Sequence, residues 1–550
     1  ILILSSVLCG LIAGTCIGLR LTNPGRIAEA KITCCFQKLY KDLGLLIAAV
    51  DKVLASSIWL VLFSLTLACV VRLPFVTTPI RFDEAISWRD YAAKPLWLTI
   101  ALYNDPNNHV FHNLLSGLLM KWFGESLLVL RSVSIVAGIL VVVIGAVAAK
   151  RIFLKSIVGD TSILATIAGS LIAVAVCSNP MVNEFSIYAR GYSLLMLAWL
   201  ASVLLLQHAV TNGNSASWVG SVVFGSLGMW TIPTMMYPIV ATIAFWILSR
   251  GRFVDVVAWL STIAILTLML YSPILAISGP QAIVGNSYVQ SLSIASWTQQ
   301  APNIIYSLRG VLLGDMPATL QGVVIALVAS AGFYSIEYRR LILKSIVAIL
   351  AVAVVVFVQR VIPPERTWVW LSVPWSIAVG MAIPIVAKAN LQAINASALI
   401  SCMIALVIFA IPASNWFSGD RLRNSMEIGS CPEAQDAIAS IIQRRQRDES
   451  IVVVCPASGT IDWYAKRAGI DPKAFDPPRL NPTMKPRLES DDDVKSESII
   501  VGVVNDGHFQ QSVTSVLDAH VSTRPWIGGV EELIWQGNTL SLYRVLLQKR

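Results

Sequence analysis

The sequence predicts an all-α polytopic membrane domain of about 12 transmembrane helices, followed by a small C-terminal extracytoplasmic α/β domain. Three observations carry that expectation. Hydrophobic residues make up 56% of the 550 positions and charged residues only 13%, against about 25% charged in a soluble globular chain. Runs such as 132–149 and 161–178 hold no charge at all, and about 18 such residues suffice to span a bilayer. Charge is also divided along the chain: the first 413 residues carry 25 Lys and Arg against 14 Asp and Glu, and residues 414–550 carry 16 against 18. A basic excess confined to the apolar part reads as topology signal and anionic-lipid contact, not as nucleic-acid binding.

Taken in order, residues 1–21 are long enough to span and lack the charged start and small-residue cleavage site of a signal peptide. Further spans are expected near 53–75, 126–149, 161–178, 185–208, 216–231, 233–249, 254–275, 318–335, 341–361, 367–387 and 392–413. Pro233 splits the short pair 216–231 and 233–249 into a tight hairpin or one bent element. The expected domains are 1–52 (a transmembrane helix and a basic cytoplasmic loop), 53–413 (the main membrane domain) and 414–550 (the soluble domain).

Lys and Arg set the sides. Loops 22–52, 150–155, 250–252 and 336–344 hold Lys38, Lys41, Lys150, Arg151, Arg252, Arg339 and Lys344, among others. Strict alternation puts all four on one face, which short basic loops mark as cytoplasmic. The other face receives loops 76–125, 178–184, 276–317 and 360–366 and the tail. Long loops on a rigid scaffold are where chemistry is expected.

In the tail, 433–447 has a helical pattern, 450–455 (SIVVVC) and 498–504 (SIIVGVV) read as buried strands, 471–494 as a Pro- and charge-rich loop, and 540–548 as a last strand. Cys431 and Cys455 form a disulfide candidate if the tail is extracytoplasmic. Cys34–Cys35 in the basic loop suits palmitoylation less well than a plain structural role.

Four outer segments concentrate the ionisable groups. Segment 81–88 (RFDEAISW) carries Asp83 and Glu84, which serve either as helix N-terminal charges or as a base or metal ligand. Segment 103–113 (YNDPNNHVFHN) carries Asn108, His109 and His112. Two His without a third ligand make a weak zinc site, and capping bonds are the plainer role. Segment 179–192 (NPMVNEFSIYARGY) carries Glu184, Tyr188, Arg190 and Tyr192 where a helix re-enters the membrane. Ionisable groups at that depth are costly, so they mark either a structural ion pair or a functional site. Segment 360–368 (RVIPPERTW) carries Glu365 and Arg366, the latter either a phosphate ligand or an interfacial Arg beside Trp368 and Trp370.

The order of these features resembles the GT-C glycosyltransferase superfamily, in its family-39-like branch related to protein O-mannosyltransferases and the lipid A aminoarabinose transferase. The marks are Asp83-Glu84, Asn107-Asn108-His109, Phe123-Gly124, Leu130-Arg131-Ser132, the run 188–192 (YARGY), Pro364-Glu365-Arg366, and a tail with 451–455 followed by Asp462-Trp463-Tyr464. The resemblance covers about residues 53–470. It implies transfer of a monosaccharide from a polyprenyl-phosphate donor to a hydroxyl acceptor (lipid, glycan or protein) on the extracytoplasmic face, with inversion. The setting would be a bacterial inner or plasma membrane. It further implies Asp83 as general base and Glu84 as its support. Arg190 and Arg366 would stabilise the leaving phosphate. Asn108, His109, His112, Glu184, Tyr188, Tyr192 and Glu365 would line the cavity. No metal is required when two arginines neutralise a monophosphate. The first loop reads Asn-Asn-His where the family has His-Pro-Pro, which leaves room for a divalent metal at His109 and Glu84.

Three other readings compete. A lipid-linked sugar transporter or flippase would show charges in mid-helix, which are nearly absent here. A polymerase or ligase acting on a lipid diphosphate would want more arginine than Arg309 in loop 276–317. A non-catalytic scaffold subunit of a membrane complex would share the fold without the chemistry.

Overall fold

A computed structural model describes residues 26–156, 162–249, 251–285, 290–314, 316–391, 393–419, 422, 431, 433–446, 449–453, 457–470, 498–505, 510–516 and 526–549. The expected span 1–21, the loop 471–494, Arg250 of the basic loop 250–252 and Cys455 lie outside them, and with Cys455 the proposed disulfide. The chain forms two compact units: Ile1–Val76 with Pro95–Ser418, and Thr77–Lys94 with Gly419–Arg550.

In the first unit, seven helices among the described residues are long and apolar enough to cross a membrane: Ile58–Phe75, Leu127–Leu154, Tyr192–Asn212, Phe253–Ile277, Ile336–Gln359, Glu365–Leu391 and Ile394–Phe417. Two bent pairs raise the number to nine if each counts as one span: Ser162–Cys177 with Pro180–Ile187, bent by 69°, and Ile294–Leu313 with Ala318–Tyr334, bent by 79°. The dozen expected from sequence is thus not reached on length and apolarity. Ser215–Thr231 and Pro233–Leu248 are short, as the Pro233 break predicts. Of the most apolar 18-residue stretch of each, 78% is buried in Glu365–Leu391 and only 17% in Ile336–Gln359, so the former is packed inside the bundle and the latter leaves most of its apolar surface exposed.

Several expected loops are helical. The basic segment 22–52 is mostly the helix Arg26–Ala55. Segment 336–344 forms the first turns of Ile336–Gln359, because the Ser335 hydroxyl caps it by accepting from Tyr338 N (3.2 Å). Loop 76–125 contains Phe82–Ile86, a π-turn Ser87–Ala92, Leu96–Ala101 and Val110–Phe123. Loop 276–317 contains Gln281–Val284, Ile294–Gln300 and Pro302–Leu313. Hydropathy windows mark only what is long enough to span, and they pass over short helices that lie along a surface.

Bonds between segments respect the sides set by Lys and Arg. At the basic end, Lys150 Nζ donates to Ser56 O (2.9 Å) and Lys344 Nζ to Ser249 Oγ (3.1 Å). Ser215 N and Oγ donate to Asp42 Oδ2 (2.8 and 2.6 Å). At the other end, Ser278 Oγ donates to Ala101 O, Leu292 N to Arg360 O, Trp297 Nε1 to Val361 O, and Asn179 Nδ2 to Val311 O. Each bond joins two segments that alternation assigns to one face.

The second unit holds a four-stranded sheet in the order β1-β2-β4-β3. The strands are β1 (Ser450–Val453), β2 (Ser498–Val504), β3 (Trp526–Gln536) and β4 (Leu540–Lys549). β1 and β2 run parallel, and the other pairs are antiparallel. Every residue of β2 is buried, since apolar layers cover both sheet faces: Ile438, Ile441, Ile461 and Leu542 on one, Val501, Val513 and Val545 on the other. That explains its unbroken apolar run. β3 was not expected. Its sequence WIGGVEELIWQ has no clean alternation, and two register shifts at Gly528/Glu531 and Leu533/Trp535 break the period.

Candidate functional site

The first unit brings three of the four flagged segments together. Asn179 starts the helix Pro180–Ile187 by accepting from Val182 N (3.1 Å), with Pro180 at the first helical position. That helix stops at Tyr188, and a new one starts at Tyr192. The expected span 185–208 is therefore broken, and residues 188–191 form a tight turn closed by Arg190 N donating to Tyr188 O (2.7 Å).

This turn is held from two sides. The Ser134 hydroxyl donates to Arg190 O (2.9 Å) and accepts from Arg190 N (3.2 Å). Gly191 N donates to His109 Nδ1 (2.7 Å). An added Cβ at Gly191 would lie 2.6 Å from Thr231 Cγ2 and 3.0 Å from His109 Cβ, so this glycine is demanded by close approach. His112 Nε2 lies 2.9 Å from the same Ser134 Oγ, and its Nδ1 3.3 Å from Asn113 Oδ1. Asn113 Nδ2 donates to Asn108 Oδ1 (3.1 Å), and Asn108 Nδ2 to Thr99 O and Leu102 O (3.1 and 2.7 Å). Asn108, His109, His112 and Asn113 are all buried, so each of these bonds spares an unmade bond worth about 1–3 kcal/mol.

The two histidines thus have different partners. His109 is the residue before the helix Val110–Phe123, and His112 sits in its first turn. Burial, then the charges of Arg190, His112 and Arg366, hold the His109 imidazole well below its ordinary range. It is neutral, its Nδ1 accepts from Gly191, and its proton sits on Nε2. Its ring meets Tyr192 edge-on at 5.2 Å, and Tyr192 packs on Phe185 at 4.5 Å.

Arg190 is 4% exposed, with Cζ 5.8 Å from the Tyr192 ring centroid. Arg131 Cζ lies 5.6 Å from the Tyr188 ring, and its Nη1 donates to Val76 O (2.7 Å). Glu184 is 2% exposed on the helix Pro180–Ile187. Glu365 and Arg366 open a 3-10 turn, Glu365–Leu371, that leads into Ser372–Leu391. Trp368 stacks on Tyr237 (5.7 Å), and Trp370 meets Trp199 edge-on (5.3 Å). Arg190 is tied to His109 through its neighbour Gly191, and the charge of Arg366 also reaches that imidazole. Ser134 is the part that sequence reading missed. A serine in an apolar run carries no signal of its own.

A narrow cleft of about 30 Å³ opens where both bent pairs break. Ser178, Asn179, Ser376, Trp375, Val379 and Phe409 help line it.

Asp83 and Glu84 belong to the second unit and differ in setting. Glu84 is 1% exposed and turns back to accept from Arg81 N (3.1 Å), the return half of a helix cap. Asp83 is half-buried. Arg89 binds Asp90 Oδ1 and Oδ2 (2.9 and 3.1 Å) and Asp462 Oδ2 (2.7 Å). Burial pushes the Asp462 carboxyl up, against the pull of Arg89. Among the described residues no three His, Cys, Asp or Glu side chains gather as a metal-ligand set.

No protein-family model matches the chain, and no curated protein sequence matches it. Solved structures do. ArnT from Cupriavidus metallidurans in the apo state matches with a TM-score of 0.54 at 12% identity, over 89% of this chain and 98% of that one. The same protein bound to undecaprenyl phosphate gives 0.50 at 10% identity over the same shares. The Archaeoglobus fulgidus oligosaccharyltransferase complex with Zn and sulfate gives 0.48 at 14% identity, over 77% and 62%, too weak to add weight. The chain is a multi-pass integral membrane protein, and its fold is like that of ArnT over 89% of this chain and 98% of that one.

Proposed function

We propose that this protein is a membrane glycosyltransferase that moves a monosaccharide from a polyprenyl-phosphate donor to a hydroxyl acceptor at the extracytoplasmic face. The observation that supports this most is the turn 188–191, which holds the buried Arg190 next to His109 through the Gly191–His109 bond, in a fold shared with a protein crystallised with undecaprenyl phosphate.

In the proposed reaction the acceptor oxygen forms a bond to the anomeric carbon while the bond from that carbon to the phosphate oxygen breaks. The acceptor proton passes to Asp83, a half-buried carboxylate. The leaving polyprenyl phosphate gains negative charge, which Arg190 and Arg366 meet as fixed cations. A single displacement inverts the anomeric centre. Glu84 caps the turn that carries Asp83. Asn108 and His112 hold the frame, and Tyr188, Tyr192, Glu184 and Glu365 bound the donor's surroundings. The reading requires no metal.

The test is turnover in nanodiscs with a labelled polyprenyl-phosphate sugar. Wild type should transfer or slowly hydrolyse the sugar, and Asp83→Asn should not. A wild type that binds donor and leaves it intact would support a scaffold subunit. Movement of intact donor between leaflets would support a flippase.

A further inference from the structure

The motif 462–464 (DWY) lies on the helix Ser458–Arg467 of the second unit. The turn that carries Asp83 is a helix of five residues, Phe82–Ile86, followed by the π-turn Ser87–Ala92. A helix that short does not hold itself in water. Both of its ends rest on the helix Ser458–Arg467. At one end Gly459 meets Phe82–Ile86: a Cβ there would lie 3.1 Å from Ala85 Cβ and 3.5 Å from Phe82 O. At the other, Arg89 binds Asp462 at 2.7 Å with both side chains mostly buried (17% and 20% exposed). Asp90 fixes the two remaining faces of that guanidinium. Trp88 meets Trp463 edge-on at 4.9 Å, and Lys466 Nζ lies 5.3 Å from the Trp88 ring.

We infer that Arg89 and Asp462 are positioning residues for Asp83, and that the C-terminal domain is the template that fixes the acid-bearing turn. The inference rests on Asp83 being the base of the proposed reaction. Its structural half stands on these contacts alone. A partly buried Arg–carboxylate bond, on a guanidinium whose other N–H groups are held by Asp90, sets direction as well as distance, and misplacing a catalytic group by about 1 Å costs about 100-fold.

The experiment uses the full chain in nanodiscs. Hydrogen exchange across 77–94 should rise at least about tenfold in Asp462→Asn, with the membrane helices unchanged; unchanged exchange in 77–94 would overturn the clamp. With labelled polyprenyl-phosphate sugar, kcat should fall about 10- to 100-fold while the donor KM stays put. The exchange Arg89→Asp with Asp462→Arg should restore much of kcat, which a loss of folding would not allow. Normal kcat in Asp462→Asn beside faster exchange would overturn the positioning role. An inactive wild type would instead count against the proposed reaction, and the exchange data would still decide the clamp.

A second observation, independent of the first, concerns the helix Arg26–Ala55. Its inner stripe, with Leu39, Asp42, Leu46, Ala49 and Val53 at helical spacing, docks through Asp42 on Asn214 and Ser215. Beside it runs an exposed apolar stripe: Tyr40, Leu43, Ile47, Val50 and Leu54 are 80, 45, 53, 47 and 41% exposed. Across the helix from that stripe stand Lys38, Lys41 and Lys52, all exposed. At about 100° per residue the two flanks are nearly opposite.

The geometry points to a helix that lies in the membrane interface, apolar flank toward the acyl chains and lysines among anionic headgroups. The occupant is an anionic leaflet, by charge complementarity. Spin labels on Ile47→Cys and Lys41→Cys in a cysteine-free protein, in nanodiscs of phosphatidylcholine with about 30% phosphatidylglycerol, read the depth. Position 47 should be open to oxygen and closed to a water-soluble nickel chelate, and position 41 the reverse. Equal access at both overturns the proposal. If the cysteine-free protein does not fold, a photoactivatable lipid on wild type decides: adducts at Tyr40, Ile47 or Leu54 support it, and their absence overturns it.

Discussion

The backbone amide of Gly191 donates to Nδ1 of His109 at 2.7 Å, across 82 residues of sequence. That one bond ties the first outer segment to the turn presenting Arg190, and it fixes which nitrogen of His109 carries the proton. His109→Phe leaves the Gly191 N–H buried and unmet, so it should destabilise by about 1–3 kcal/mol. Gly191→Ala should do as much through its clash with Thr231. Thermal unfolding in detergent checks both.

The adjacent acids should separate. Asp83→Asn should abolish turnover without lowering the melting temperature. Glu84→Ala should cost about 0.5–2 kcal/mol of stability, as loss of a cap does, and Glu84→Gln, which can still accept from Arg81 N, should retain most of both. Unfolding and turnover on the same preparations read the split. Equal loss in Asp83→Asn and Glu84→Gln would deny it.

Arg366→Ala and Arg190→Ala should each lower kcat by about 100- to 1,000-fold, the scale for removing one donor to a developing anion. Lys at either position should recover charge without fork geometry and rescue only in part. Donor affinity by native mass spectrometry should fall for Arg366→Ala. Unchanged affinity removes Arg366 from the phosphate site.

Stability should fall on acidification in two windows. His109 is held below its ordinary value, chiefly by burial. Its unfolded form therefore binds the proton first, and stability is lost as pH falls below about 6.5. Burial acts to raise Glu449, but Arg544, Gln446 and Ser498 bind its carboxylate and hold it low overall. Its contribution is present above about pH 4.3 and is lost as pH falls through the lower folded value. His109→Phe should flatten the first window and Glu449→Gln the second. Hydrogen exchange corrected for intrinsic pH dependence, followed in the helix Val110–Phe123 and in β2, resolves them.

The membrane domain, the grouping of its loops at two ends and the apolar strands β1, β2 and β4 were legible in sequence. Each rests on a sum over neighbours: a run of apolar residues, a local Lys and Arg excess, a buried strand between turns. The segments that hold the candidate site were legible too, because an ionisable group in an apolar chain stands out against its surroundings. Only the tertiary structure decided that 188–191 is a turn and not part of a span. There the helix periodicity yields to Ser134 and His109, whose bonds repay the broken backbone. Only the structure assigned Glu84 to the cap and left Asp83 apart from it. Only the structure joined Arg89 to Asp462 across 373 residues. Local pattern sets which surfaces must be buried. It does not say which buried partner a polar group will find, because that choice is made by contacts the chain forms only after it has folded.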